Sequence, residues 1–252
     1  MSCLAIDIGN TSTAIGIVSD GQVHGVCHLQ GGLRDRRAIE HVVRGLIGRE
    51  EVDGSALSSV VPSANSVWLS QLRRLLGAAP LVVSHRLRLG VGVDYPRPGT
   101  IGADRLANAS GAVGRYGAPA IVADFGTAVT FDVISSGGAY IGGVIAPGLP
   151  LMTAYLAEKT ALLPLIRLTG RCGRIGRGTA GAMLIGAKIG YRGMVREIVR
   201  HLREGVGLRK ARLLATGGYA RWALHGLNLP CTIDPDLTLY GIGRIYELNT
   251  RG

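Results

Sequence analysis

The sequence predicts a duplicated α/β protein of two lobes, each a mixed sheet flanked by helices. Two observations carry this expectation. The first is a pair of matching turns, Asp7-Ile8-Gly9-Asn10-Thr11 and Asp124-Phe125-Gly126-Thr127-Ala128. In each, an apolar run (Cys3 to Ile6; Ala120 to Ala123) leads into Asp-x-Gly with Thr close behind, and a second apolar run follows (Ala14 to Val18; Val129 to Ile134). The second is that Gly21 and Gly138 each stand fourteen residues after the aspartate of their own copy. Strand, turn, strand, tight turn and third strand are therefore written twice.

The remaining elements follow in order. Arg34 to Arg49 carries Ile39, Val42, Val43, Leu46 and Ile47 at the spacing of one helical face. Ala56 to Val61 reads as a buried strand stopped by Pro62, and Ser63 is placed to cap a helix bearing Trp68, Leu69, Leu72, Leu75 and Leu76. Leu81 to Ser84 is the next strand. The order β-β-β-α-β-α-β closes a mixed sheet with helices over it, and near Gly117 the pattern restarts, which divides the chain into lobes 1–116 and 117–252. The second copy has strands at Ala120 to Ala123, Val129 to Ile134 and Ala139 to Ile145, a break at Pro147-Gly148, and a helix near Leu151 to Lys159. Thr179 to Glu204 is the longest helical segment. Its apolar positions Leu184, Ala187, Tyr191, Met194 and Ile198 alternate steps of three and four, and Gly186, Gly190 and Gly193 allow a neighbour to approach closely. Each helical glycine costs about 1 kcal/mol relative to alanine, so three of them want a packing reason. Either a buried core helix or a subunit interface supplies one.

Composition bounds the function. At 252 residues and 47% hydrophobic, the chain can bury one large core or two ordinary ones. No basic segment precedes Asp7, the first charged residue, and no apolar run reaches the ~18 residues of a membrane span, so a cytoplasmic protein without a membrane partner is expected. Cys3, Cys27, Cys172 and Cys231 are scattered, which supports neither a disulfide framework nor a zinc site. The net charge of +11 raises nucleic acid, an anionic small substrate and a compositional bias as explanations. The densest basic stretch is Arg167, Arg171, Arg174 and Arg177, but aromatics at 5% are too few for a base-stacking platform, so no nucleic-acid partner is expected. There is no Gly-x-x-x-x-Gly-Lys loop, no Gly-x-Ser-x-Gly elbow and no His-Glu-x-x-His. Gly176-x-Gly178-x-x-Gly181 follows a basic loop, not a buried strand, and is discounted as a dinucleotide fingerprint.

The paired turns have the parts of a phosphate grip. Glycine lets backbone approach an anion, Asn and Thr add donors, and Asp at a strand end can hold a cation against phosphate oxygens. Two such turns facing each other would clamp a polyphosphate, although one alone is also ordinary hairpin chemistry. A kinase further needs a group to orient the acceptor hydroxyl and take its proton. Gly102-Ala103-Asp104-Arg105 offers a base in Asp104 and a planar fork for a carboxylate in Arg105. Taken alone, the same pair next to Gly reads more readily as an ion pair at a helix N-terminus.

In company these motifs are specific. Asp7-Ile8-Gly9-Asn10-Thr11, Tyr95 with Pro98, Gly102-Ala103-Asp104-Arg105, Asp124-Phe125-Gly126-Thr127, Gly142-Gly143-Val144-Ile145-Ala146-Pro147-Gly148 and Thr216-Gly217-Gly218 occur in the order seen in type III pantothenate kinases, and Ser58-Ser59-Val60-Val61-Pro62 and Asp236-Leu237-Thr238-Leu239 look like the same family. The resemblance spans almost the whole chain. It implies actin-like, ribonuclease H-like lobes of the hexokinase-like ATPase superfamily, with the nucleotide site in the cleft between them. It implies transfer of the ATP γ-phosphate to pantothenate, giving 4'-phosphopantothenate, the first step towards coenzyme A.

By matching positions, Asp7, Ile8, Gly9, Asn10, Thr11, Ser12, Thr13 and Ala14 would hold ATP phosphates, Thr127 would touch ATP, and Thr216, Gly217 and Gly218 would line the adenosine side. Asp104 would be the proton acceptor. Tyr95, Gly102, Ala103, Asp104, Arg105 and Thr179 would contact pantothenate. Asp124 would bind the family's monovalent cation, K⁺ or NH₄⁺, and Mg²⁺ would bridge the phosphates, with Asp7 a candidate contact through phosphate or water. A homodimer with the acceptor site near its interface is implied as well. Two departures are visible: Gly178 replaces the Asn common before the family's Thr, and Ile185-Gly186 stands where a Ser-Gly pair is common. The alternative is a non-catalytic nucleotide- or nucleic-acid-binding regulator on the same scaffold, which would have no need of Asp104 beside a carboxylate-reading Arg105.

Overall fold

The N-terminal pattern folds as three antiparallel strands, β1 (Ser2–Ile8), β2 (Ser12–Ser19) and β3 (Gln22–Gln30), in a computed structural model that describes residues 1–31, 35–48, 51–169, 173–205 and 208–251. The β2–β3 turn is Asp20-Gly21 with φ of 49° and 74°, the two left-handed residues of a type I′ hairpin. β1 then pairs in parallel with β4 (Gly54–Ser59), and β4 with β5 (Leu81–Val82), for a sheet order β3-β2-β1-β4-β5. α1 (Arg36–Ile47) and α2 (Pro62–Leu76) are the helices expected between them. The ends assigned to the first helix, Arg34 and Arg49, lie outside the described residues. The cap expected from Ser63 is replaced: Val61 is the N-cap, makes no side-chain cap bond, and Pro62 opens the helix, where its missing N–H costs nothing.

Period-two alternation gives this sheet two unlike faces. Leu4, Ile6, Ile8, Ile15, Ile17 and Leu57 form one core with Ile39 and Val43 of α1 and Trp68 and Leu72 of α2. On the other face the register sets small residues in rows, Val18–Cys3–Gly54 and Gly16–Ala5–Ala56. That shallow face receives α7 (Leu237–Thr250): a Cβ on Gly16 would stand 3.3 Å from Leu239 Cδ1, and one on Gly54 would overlap Tyr246 Oη. Burial on this face pushes the Cys3 thiol well above its ordinary pKa, an inert core position. α3 (Ala103–Tyr116) lies against α7 at backbone distance, since a Cβ on Gly241 would overlap the Ala107 carbonyl oxygen and one on Gly111 would sit 2.6 Å from that of Leu237.

The second sheet repeats the first. β7 (Ala120–Phe125), β8 (Ala128–Ile134) and β9 (Ala139–Pro147) are followed by β10 (Arg212–Thr216) and β11 (Thr232–Ile233), in the order β11-β10-β7-β8-β9-β6, with β6 (Gly92–Val93) added in parallel at the edge. Without β6, that is the first sheet's order strand for strand. Gly138, with φ of 75°, closes the β8–β9 turn as Gly21 closes β2–β3. α4 (Leu149–Lys159) and α5 (Thr179–Gly205) precede β10, and α6 (Ala220–Leu224) follows it. The chain forms two compact units, residues 1–120, 132–142 and 236–252, and residues 121–131 and 143–235. Within the second unit Phe125 packs on Phe131 and Tyr191, each at 6.5 Å between centroids, and Tyr191 on Trp222 at 6.4 Å. No helix among the described residues is long and apolar enough to cross a membrane.

The α3–α7 crossing gives a stability test. Gly241→Ala should destabilise the protein by about 1 to 3 kcal/mol, read as a lower urea midpoint, because neither helix backbone can retreat without leaving the sheet. Gly226→Ala, in a left-handed turn with nothing within 4 Å of its Cβ position, should cost only its backbone strain, about 1 kcal/mol. A Gly241→Ala midpoint no lower than that of Gly226→Ala would refute the close crossing.

Candidate active site

The first turn is built where β1 ends. Parallel pairing sets Asp7 beside Ser58, whose hydroxyl donates to Asp7 Oδ1 at 2.9 Å. Gly9 N–H then donates to the Ser12 carbonyl at 2.9 Å, and a Cβ on Gly9 would crowd that same oxygen at 3.0 Å. Asn10, Thr11 and Ser12 are exposed, so the turn offers its donors outward. Ile8 and Thr13 face inward. Ile8 belongs to the core, and the wholly buried Thr13 hydroxyl donates to the Gly31 carbonyl at 3.0 Å, securing the start of β2. Ala14 pairs with Asp7 across the hairpin.

The second turn repeats this with closer company. Gly126 N–H donates to the Ala128 carbonyl at 3.1 Å. Gly148, the N-cap of α4, approaches so near that a Cβ would overlap the Thr127 carbonyl oxygen. Gly217, in the left-handed region at φ 86°, would place a Cβ 2.6 Å from Asp124 Oδ1 and 2.7 Å from the Phe125 backbone. The Tyr219 N–H donates to the Phe125 carbonyl at 3.2 Å. Asp124, Thr127, the buried Thr216, Gly217 and the exposed Gly218 are thus gathered within the second unit.

The Gly102-Ala103-Asp104-Arg105 motif forms the first turn of α3, with Gly102 as N-cap. The Asp104 carboxylate leans back on Gly102, where a Cβ would overlap Oδ1, and accepts the Arg105 N–H at 2.8 Å. Burial pushes its pKa above the ordinary carboxylate value; that N–H and the Arg105 charge offset this only in part. The hydrogen bond to Asp104 is thus made by the Arg105 backbone, not by its guanidinium, and the Arg105 side chain forms its ion pair elsewhere. Its Nε donates to Asp132 Oδ1 at 2.6 Å, with Asp132 wholly buried on β8 and Arg105 13% exposed. Its Nη2 is buried and has no partner among the described residues. The guanidinium stands 5.7 Å from the centroid of the Tyr140 ring, and Tyr95 meets Tyr140 edge-on at 6.0 Å. Burial, then the Asp132 charge, raises the Tyr140 pKa and keeps the phenol protonated. Gly142, at φ 122°, has its Cβ position 3.5 Å from the Tyr95 ring.

Sequence reasoning singled out Tyr95, Asp104 and Arg105 but not Asp132 and Tyr140, which pack with Arg105 and Tyr95, nor the Ser58 hydrogen bond to Asp7. A signal for Asp132 was present: it is the one charge in the run Val129 to Ile134, and an unaccompanied carboxylate in a buried strand demands a partner. Thr179, the first residue of α5, is exposed. Along α5 the buried positions are Ala187, Tyr191, Val195, Val199 and Leu202, whereas a Cβ on Gly186, Gly190 or Gly193 would meet nothing within 4 Å. The glycines are not core. Arg171 and Cys172 lie outside the described residues, and among those described no group of three His, Cys, Asp or Glu side chains could hold a metal ion.

A duplicated mixed sheet carrying an Asp-x-Gly turn in each copy defines the actin-like fold. The fold recurs in a ROK family glucokinase from Streptomyces griseus (TM-score 0.55, 15% identity, all of both chains covered). It recurs also in a Campylobacter jejuni protein named for the Baf family of transcriptional activators (TM-score 0.61, 17% identity, 97% of both chains). At these identities the likeness shows the fold alone. Sequence resolves the family: residues 3–201 match type III pantothenate kinase. A type III pantothenate kinase from Dehalococcoides mccartyi is 40% identical over 98% of this chain and 97% of its own. One from Moorella thermoacetica is 37% identical over 98% and 99%. The chain belongs to the type III pantothenate kinase family, and its activity is the ATP-dependent phosphorylation of pantothenate in coenzyme A biosynthesis. The regulator alternative is not favoured.

Proposed function

We propose that Asp104 is the general base of this reaction and Arg105 the reader of the acceptor's carboxylate. The observation that carries this is their shared turn, with a half-buried carboxylate of raised pKa next to a guanidinium whose Nη2 is buried without a partner among the described residues. As the pantothenate hydroxyl oxygen bonds to the γ-phosphorus, its proton passes to Asp104, and the bond from phosphorus to the ADP oxygen breaks. Tyr95, Gly102, Ala103 and Thr179 complete the acceptor contacts.

Asp7 to Ala14 form the first phosphate site, supported by the outward donors of Asn10, Thr11 and Ser12. Thr127 touches ATP, and Thr216, Gly217 and Gly218 serve the adenosine side. The half-buried Asp7 carboxylate, at the base of that exposed turn, suits Mg²⁺ held largely by phosphate and water. When bound, the ion neutralises phosphate charge. Asp124, an oxygen donor seated on the Gly217 backbone, suits K⁺ or NH₄⁺, which would add positive charge near the phosphates. We assign the protein to the cytoplasm, without a nucleic-acid or membrane partner, and retain lobes of 1–116 and 117–252 as the units of the repeat.

The open glycine face of α5 supports a homodimer. Ile189, between Gly186 and Gly190, is 67% exposed, and in the same unit Ile145 and Tyr155 are 64% and 60% exposed. Isolated apolar residues are ordinary on a surface, but an open glycine face on a helix that also exposes Ile189 suits an interface.

Asp104→Asn should retain ATP binding and the thermal transition while kcat falls by about 10² to 10⁴, the usual worth of a general base. In the wild type, kcat/KM should fall as pH drops through the raised Asp104 pKa, because protonation removes the base; this limb should vanish in the variant. ADP release with pantothenate should require K⁺ or NH₄⁺, and equal rates in sodium buffer with Mg²⁺ present would remove Asp124 from the cation role. Gly190→Leu has room within its own chain, so it should fold, yet sediment as a monomer and lose ADP release; a fully active monomer would show the site complete in one chain.

A further inference from the structure

We propose that Asp132 is a positioning residue for the acceptor: by fixing Arg105 through Nε it aims the remaining guanidinium edge at the substrate carboxylate, and so sets the preference for an acid over its uncharged analogue. The proposal rests on the reading of Arg105 given above.

Asp132 is wholly buried in β8, a position where a carboxylate is costly unless paired and hydrogen-bonded. Its pairing is side-on, Nε to Oδ1 at 2.6 Å, which occupies one donor of the guanidinium and leaves Nη2 buried with no partner among the described residues. The Tyr140 ring flanks the same guanidinium at 5.7 Å, and Tyr95 packs edge-on against Tyr140. Arg105 is therefore restrained by a bond on one side and an aromatic wall on another. A guanidinium held in one orientation loses little freedom when a ligand arrives.

Charge and orientation make opposite predictions for Asp132→Asn. Removing a negative charge near the acceptor's carboxylate should tighten pantothenate binding if Coulombic attraction alone governs the site. Releasing Arg105 from its fixed orientation should weaken it. We expect the second: KM for pantothenate rises about ten- to hundredfold, the worth of a charge-assisted hydrogen bond. KM for ATP should hold within about twofold, and so should KM for pantothenol, in which an alcohol replaces the carboxylate.

The experiment measures kcat and KM for both acceptors in wild type, Asp132→Asn and Arg105→Lys by coupled ADP release, with a thermal melt on each sample. Should Asp132→Asn fail to fold, Asp132→Glu, which keeps the charge but displaces it by one methylene, should show the same loss confined to the acid. A pantothenate KM that is unchanged or lowered, or that rises equally for pantothenol, overturns the role of Asp132. If Arg105→Lys raises both acceptors' KM equally, the carboxylate contact itself is wrong. A loss confined to the acid in Arg105→Lys, with none in Asp132→Asn, rejects only the positioning role.

Discussion

The backbone contact between α3 and α7 is the constraint on which the first unit depends. A helix pair can approach this closely only where side chains are absent, and Gly111 and Gly241 supply that absence. α7 in turn sits on a sheet face whose in-register rows are mostly small, Gly16–Ala5–Ala56 among them. The stack from sheet to α7 to α3 thus rests on residues selected for what they lack. Its consequence is positional, because the first turn of α3 carries Asp104 and Arg105. A site whose parts must hold their geometry closely is best mounted on rigid elements, and this one is mounted on a helix that cannot drift towards or away from its support.

The same unit places charge where burial makes it effective. Asp104 is driven towards its protonated form by desolvation, bringing a carboxylate nearer the pH at which it can both hold and release a proton. Asp132 is still more deeply buried, but its partner is provided by the fold. Two aspartates 28 positions apart in sequence therefore meet one arginine in different ways, one through its backbone N–H and the other through its side chain. Between them they govern how Arg105 is presented.

Much of this was legible in the sequence, for identifiable reasons. The repeated strands were readable because their apolar runs are bounded by Asp-Gly and Gly turns, and the hairpin at Gly21 needed a left-handed residue that only a few types supply. The glycine face of α5 was visible as spacing, but whether it faced core or solvent was not, since periodicity gives a face and not its neighbour. Ser63 was misread as a cap because Pro62 beside it was taken only as a strand stop. Asp132 and Tyr140 escaped because their importance comes from pairing with Arg105 across 27 and 35 residues, a relation with no local pattern. The placement of α7 on the first sheet was equally illegible: it joins the two ends of the chain.

That last feature bears on how the protein is made. The first sheet's strands leave the ribosome early, yet the helix that covers one of their faces comprises residues 237–250. At ~5–20 residues per second, β1, β2 and β4 wait on the order of ten seconds or more with that face uncovered. The first unit is therefore completed only once residues 237–250 are made, through contacts of very high sequence separation, which is the regime of slow folding. The shallow, small-residue face is suited to that interval: Gly16, Ala5, Ala56 and Gly54 present far less apolar surface to solvent than the isoleucines and leucines on the opposite side, whose helices follow directly in the chain.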